Sequence, residues 1–282
     1  MRKIKWLRHV VSQLLLCIVG LYVILPIWGI MRLAFDGSLY GRATEFRLFP
    51  KVWAFDSFLK VLDRPYQSVE FLVLLKNSLV VSIAAALMAL ILGGTLAYAF
   101  ARFRFPGKKP GLFVLLLTAV LPPIAFATPL YIVLSLLQLR TTLLGLTIVY
   151  AVFALPFCIW NMRAGFQSVS RELEEAAFLD GAGPWMTFQK ITLPLALPSV
   201  FVAGLIAFLM AYSEFAIGWL FVDQASTVTL AMSIYAMITS GSAQPWSMLG
   251  SLIIIMSIPV VTIFVLLQRT LFERMMFGSI KS

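Results

Sequence analysis

Six long apolar runs dominate the chain, at about 10–34, 77–100, 111–137, 141–162, 195–220 and 246–268, with polar segments between them. An apolar run of about 20 residues is the length of helix that crosses a hydrocarbon core of about 30 Å. Such a helix satisfies its own backbone hydrogen bonds, which lipid cannot do for it. The short alternating segments of a membrane β-barrel do not occur. The pattern therefore predicts an all-α membrane protein with six transmembrane helices.

The polar segments are more individual. Residues 35–76 mix aromatic, charged and turn residues and predict a cap of short helices and turns, with Phe46, Phe49, Trp53 and Phe55 at the membrane interface. The 102–110 segment, RFRFPGKKP, reads as a tight turn broken by Pro106-Gly107. The third run holds Pro122, Pro123 and Pro129, so it should be kinked or locally unwound. Unwound backbone at membrane depth is tolerated only where it is packed in protein or lines a cavity. Two readings fit: a pathway wall that includes Pro122, Pro129 and Tyr131, or a bent packing helix.

Composition and charge narrow the class. With 61% hydrophobic and 12% charged residues, the 282-residue chain is not a soluble domain. Its net charge of +10 could suggest nucleic acid, but the basic residues sit at the ends of the apolar runs rather than in one soluble patch. With the N-terminus inside, the inner segments hold 14 of the 22 basic residues, among them Arg102, Arg104, Lys108, Lys109, Arg163, Arg171, Lys190 and Lys281. That bias predicts cytoplasmic termini at both ends. The first run is too long, and lacks a small-residue cleavage site, to read as a signal peptide, so it is expected to anchor the chain. Cys17 and Cys158 lie in apolar runs and read as small core residues rather than a disulfide. His9 stands alone, so no metal constellation is expected. There is no GxxxxGK[ST] phosphate loop and no HExxH pair, so neither ATP hydrolysis nor metal-assisted hydrolysis is expected of this chain.

The loop at about 168–194 is built differently from the other inner segments. Ser170 can cap a helix whose first turns carry Glu172, Glu174 and Glu175, where the helix dipole favours acids. Leu173, Ala176, Ala177 and Phe178 suggest an apolar stripe, and Asp180-Gly181 ends the helix. Gly183-Pro184 starts a second helix, with Trp185, Phe188 and Ile191 on one face to pack back on the bundle. Pro194 and Pro198 then mark re-entry into the membrane. A helix lying on the bilayer would carry Lys and Arg on its polar face. The acid-rich start favours docking to a soluble partner instead.

Glu175-Ala176-Ala177, Gly181, Ile191 and Leu193-Pro194 reproduce, with all spacings intact, what resembles the EAA motif of ABC-importer permease subunits. NSL at 77–79, AYAFARFRFPGK at 97–108, PLY at 129–131 and LPFCIWNMRAGF at 155–166 look like the sugar-uptake branch, similar to the maltose-type permease. The resemblance covers about residues 72–282. It implies a type I ABC importer permease fold over 72–268, after an anchor and cap in 1–71 and before a tail in 269–282. It further implies that Glu172–Gly183 is a cytoplasmic coupling helix seated in an ATP-binding subunit. The residues that would carry coupling are Glu172, Glu175, Ala176, Ala177, Asp180, Gly181, Ala182, Ile191, Leu193 and Pro194. Implied partners are a homologous second permease, two ATP-binding subunits that carry ATP and Mg, and an extracytoplasmic solute-binding protein. The membrane would be the plasma membrane of a bacterium or archaeon. The chain departs from the pattern at Ser170, in the C-terminal ERMMFGSIKS and at Tyr212-Ser213-Glu214-Phe215, which bears on substrate rather than coupling.

Glu214 falls well inside the fifth run, where an acid costs about 2.5–3.5 kcal/mol on insertion scales. Either Glu214 lines or gates a path with Tyr212 and Ser213, or it is a hydrogen-bonded packing acid. No Lys or Arg sits mid-run in the third to sixth runs, which suits a neutral, hydroxyl-rich solute. A non-sugar solute is the alternative. A stand-alone channel or secondary transporter would carry more intramembrane polar groups or inverted repeats. Residues 221–245 read equally as a re-entrant hairpin touching the binding protein or as an ordinary outer loop.

Overall fold

The computed structural model describes residues 2–39, 47–239 and 245–279. Phe46 of the expected cap, 240–244 of the outer segment and Lys281 lie outside these. In chain order the helices are α1 (Arg2–Phe35), α2 (Asp56–Asp63), α3 (Phe71–Arg102) and α4 (Lys108–Val120). A 3-10 turn, Pro123–Phe126, leads into α5 (Ala127–Leu136), followed by α6 (Leu143–Ser168), α7 (Arg171–Leu179) and α8 (Pro184–Thr187). A π-turn, Phe188–Thr192, joins α8 to α9 (Leu193–Ser213). Then come α10 (Ala216–Phe221), α11 (Leu230–Thr239) and α12 (Trp246–Ser279). Five helices are long and apolar enough to cross a membrane. The pair Lys108–Val120 and Pro123–Leu136, bent by 102°, completes six when it counts as one span.

Contacts divide the chain into two units, Met1–Phe71 with Ala236–Ile258, and Leu72–Tyr235 with Pro259–Ser282. In the first, the segment after α1 folds back on that helix's end. The Trp28 indole donates to the Leu48 carbonyl at 2.7 Å, and Phe35 meets Phe55 and Phe58 at ring separations of 5.3 and 4.9 Å. Asp36 is buried beside Arg32 and accepts hydrogen bonds from the N–H and hydroxyl of Ser38. Burial pushes its pKa up, but the Ser38 and Lys51 hydrogen bonds and Arg32 outweigh this and hold it below the ordinary value. Its anchoring is thus in place above the ordinary carboxylate range and fades as pH falls through the lowered value. Cys17 is exposed on α1 rather than in the core, because the middle of this helix is not packed within the chain.

In the second unit, α6 and α9 form the most extensive helix pair. Small residues let them approach: a Cβ on Gly165 would sit 2.3 Å from Ser199, and buried Cys158 reaches the Ala203 carbonyl. Asn77 donates to the carbonyls of Ser226 and Val228 at 2.7 and 3.0 Å, and the Ser78 hydroxyl accepts from the Leu230 N–H. The NSL segment thereby pins the start of α11, whose first turn is buried. The expected outer segment is helical here, but α11, with 10 residues, is too short to cross.

The fifth apolar run differs most from expectation. Its helix begins at Pro184, runs through Pro194 and Pro198, and stops at Ser213 rather than 220. Pro194 has no N–H, and its ring crowds the preceding carbonyls. The ladder widens just before it, where the Leu193 N–H reaches back to the Phe188 carbonyl. The helix therefore rewinds locally before Pro194 rather than starting there. Overpacking a close helix contact costs about 1–3 kcal/mol. Gly165→Leu should accordingly lower the melting temperature of the detergent-solubilised chain, while Gly20→Leu, where nothing lies within 4 Å, should leave it unchanged.

Candidate functional site

The loop between α6 and α9 forms as its residue types dictate. The Ser170 hydroxyl accepts the Glu172 N–H at 3.3 Å and caps α7. At the other end Gly181 takes φ +83°, which side chains rarely adopt. This lets the Gly181 and Ala182 N–H groups reach back to the carbonyls of Phe178 and Ala177, at 3.1 and 2.9 Å, closing the helix end. Pro184 opens α8 at the first turn.

Beneath α7 lies a contact between residues far apart in sequence. Arg102, in the last turn of α3, donates through Nε to Glu174 at 2.9 Å and through its terminal nitrogen to the Val169 carbonyl at 2.9 Å. The Thr192 hydroxyl donates to the same Glu174 oxygen at 2.5 Å. Arg102 is nearly covered, Glu174 is buried and Thr192 is fully buried. Tyr98, Phe166 and Phe188 cluster nearby, with ring separations of 4.7–5.9 Å. The ends of α3 and α6, the start of α7 and the π-turn are thus tied at one point.

That tie decides which face of α7 turns inward. The buried face carries Glu174 and Ala177, whereas Leu173 and Phe178 of the expected apolar stripe are exposed. Leu179 is 89% exposed and Trp185 65%, so Trp185 does not pack on the bundle, whereas Phe188 of the same expected face does turn inward, beside buried Thr187. Glu172, Glu175, Ala176, Asp180 and Gly181 share the open side of the loop. Ala182, Ile191 and Leu193 are half-buried, Ala177 is buried and Pro194 is exposed. Arg102 and Glu174 had no role in the sequence reading beyond charge. A basic residue ending one span and an acid 72 residues later gave no local signal of pairing.

The candidate path residues separate into groups. Glu214 lies not at a helix centre but in extended backbone after α9, where its carboxylate accepts the Ile217 N–H at 2.8 Å. Pro122, also extended, precedes the break in the third run. The two breaks come together: Pro123, Tyr150 and Glu214 line one cavity of about 50 Å³. Tyr212 is buried and stacked on Phe208, and Ser213 bonds back to the Leu209 carbonyl, so neither lines this cavity. Pro129 and Tyr131 are exposed on α5, and Tyr131 lies under the Arg140 guanidinium, which pairs with Asp223.

Residues 89–277 match the family described as binding-protein-dependent transport system inner membrane component. The chain belongs to this family. It is a transport permease rather than a catalytic subunit, as its lack of a phosphate loop led one to expect. The trehalose transport system permease protein SugB of Mycobacterium tuberculosis is 29% identical over 92% of this chain and 93% of its own length. A putative ABC transporter permease of Streptomyces antibioticus is 31% identical over 73% of this chain and 90% of its own. The maltodextrin permease MdxG of Bacillus subtilis is 25% identical over 98% of both. Among solved structures, a bacterial ABC transporter that imports the acidic polysaccharide alginate matches with a TM-score of 0.76 at 23% identity, over 93% of this chain and 95% of that one. The MetNI methionine transporter matches at 0.57 and 17% identity, over 70% and 93%. These likenesses establish the type I importer permease fold.

Removing one partner of a buried ion pair costs about 3–5 kcal/mol, because the other charge is left unpaired. Glu174→Ala should therefore destabilise the chain and expose the 168–194 loop to protease, while Glu175→Ala, at an exposed site, should shift stability by no more than about 0.5 kcal/mol. Limited proteolysis and thermal melting of both variants check this. The Arg102→Met, Glu174→Met pair should recover part of the loss.

Proposed function

We propose that this chain is one of two homologous permeases of a sugar importer, and that α7 transmits the ATPase cycle of a docked cytoplasmic partner to the spans. One observation carries the proposal: α7 is fixed to the bundle from beneath by Arg102 and Glu174, yet it leaves Leu173, Phe178 and Leu179 uncovered beside acids. Large exposed apolar side chains rimmed by polar ones mark interaction sites. The permeases for trehalose, maltodextrin and diacetylchitobiose among its relatives support a neutral oligosaccharide as the solute.

On this reading two ATP-binding subunits carry ATP and Mg, and each receives the coupling helix of one permease. Glu172, Glu175 and Asp180 offer charge to basic groups of the ATPase, while Ala176, Gly181 and Ala182 allow close approach. An extracytoplasmic solute-binding protein delivers the solute to the opposite face, and both termini of this chain are cytoplasmic. Closure of the ATPases pushes α7, and the bundle responds as a lever because α7 cannot move without α3 and α9. Only contacts that differ between the two states can transmit such work.

Two measurements test this. Gly181→Val forces a β-branched residue into a left-handed conformation. The variant should reach the membrane but lose solute-stimulated ATPase activity by at least about 10-fold, which corresponds to about 1.4 kcal/mol of lost coupling; normal stimulation would count against the mechanism. Leu179→Asp should abolish co-purification of the ATPase subunits without lowering the melting temperature of the chain. Trehalose, diacetylchitobiose and maltose, screened for stimulation of the wild-type complex, test the solute class. Stimulation by none of them would favour a non-sugar solute.

A further inference from the structure

The mostly apolar cavity between the two helix breaks holds two polar side chains, Tyr150 and Glu214, that coupling does not explain. Tyr150, about two turns into α6, is only 3% exposed, and its hydroxyl has no hydrogen-bond partner among the described residues. An unpaired buried hydroxyl is destabilising unless something fills the gap. Its ring and Glu214 line the same cavity. Gly218 makes room for it, since a Cβ there would stand 2.1 Å from the Tyr150 oxygen. Glu214 spends one carboxylate oxygen on the Ile217 N–H, which leaves the second for a donor.

We propose that Tyr150 and Glu214, at the meeting of the breaks at Pro123 and Phe215, form a notch that binds one hydroxyl of the passing solute. The notch rests on the reading of this chain as the wall of a solute path. Tyr150 donates its O–H to the incoming oxygen, and Glu214 accepts that hydroxyl's proton in a hydrogen bond. A hydroxyl both accepts and donates, so it satisfies both groups at once. An ammonium would leave the tyrosine proton without an acceptor, and a carboxylate would meet Glu214 as a like charge. A cavity of about 50 Å³ admits one or two such groups and not a sugar ring. Discontinuous helices at membrane depth supply polar groups of this kind to solutes in other transporter folds. Ordered water shares the chemistry of the sugar hydroxyl and is the other possible source.

The test uses the assembled transporter with its partner subunits, imaged in lipid nanodiscs and assayed in proteoliposomes with labelled trehalose, diacetylchitobiose and maltose. In sugar-free complex an oxygen-sized density should lie about 2.6–3.2 Å from both the Tyr150 Oη and the Glu214 carboxylate. In loaded complex a sugar hydroxyl should replace it. Tyr150→Phe and Glu214→Gln preserve shape and should each raise KM for the transported sugar roughly 3- to 10-fold. If Tyr150 is only a packing residue, Tyr150→Phe raises the melting temperature and leaves KM unchanged, which overturns the notch. Water that stays in place in the loaded complex, or density in neither state, overturns it as well. Uptake of none of the three sugars overturns the sugar reading instead, and the notch then stands or falls by the oxygen density alone.

Discussion

The ion pair between Arg102 and Glu174 is the constraint on which the α7 end of the second unit depends. Two charges removed from water are expensive, and they are retained here in a site where each finds further partners: the Val169 carbonyl for Arg102 and the Thr192 hydroxyl for Glu174. The same four groups belong to α3, the α6–α7 junction, α7 and the π-turn leading into α9. A nine-residue helix cannot hold its own place in solvent. Joined in this way, it becomes an extension of the spans rather than a loop beneath them.

Most of the fold was legible because apolarity is a direct record of residence in lipid. The six runs give the six spans, and Pro122 and Pro123 mark the break in the third. Helix ends were less legible, because a helix continues past the membrane wherever its polar end residues tolerate it, as α12 does to Ser279. The break after Ser213 had no Gly or Pro to announce it. It is held instead by a side chain, Glu214, bonding to the backbone three residues on. An acid that looked expensive within a helix is partly satisfied by the backbone that its own position frees.

The 168–194 loop was legible in outline but not in orientation. Ser170 and Gly181 are local signals, and their caps formed as their chemistry requires. Which face turns inward depends on Arg102, and Glu172, Glu174 and Glu175 are indistinguishable without it. The apolar stripe gave no sign of which of its members Arg102 would draw under cover. Ala177 is buried, while Leu173 and Phe178 are exposed. The path residues divided for a similar reason. Tyr212 and Ser213 neighbour Glu214 in sequence, whereas Tyr150 and Pro123 neighbour it in space.

The two ends of the second unit are thus built on opposite principles. At the α7 end, Arg102 and Glu174 are paired and hold the element in place. At the helix breaks, Tyr150 is left unpaired. The central claim concerns the first of these: α7 is a fixed lever facing a nucleotide-driven partner. A photo-crosslinking residue in place of Leu179, in native membranes with and without MgATP, addresses it most directly. The account predicts a crosslink to a nucleotide-hydrolysing subunit, with a yield that changes with the nucleotide state. Crosslinks to lipid alone, or reaction from the extracytoplasmic side, would contradict it.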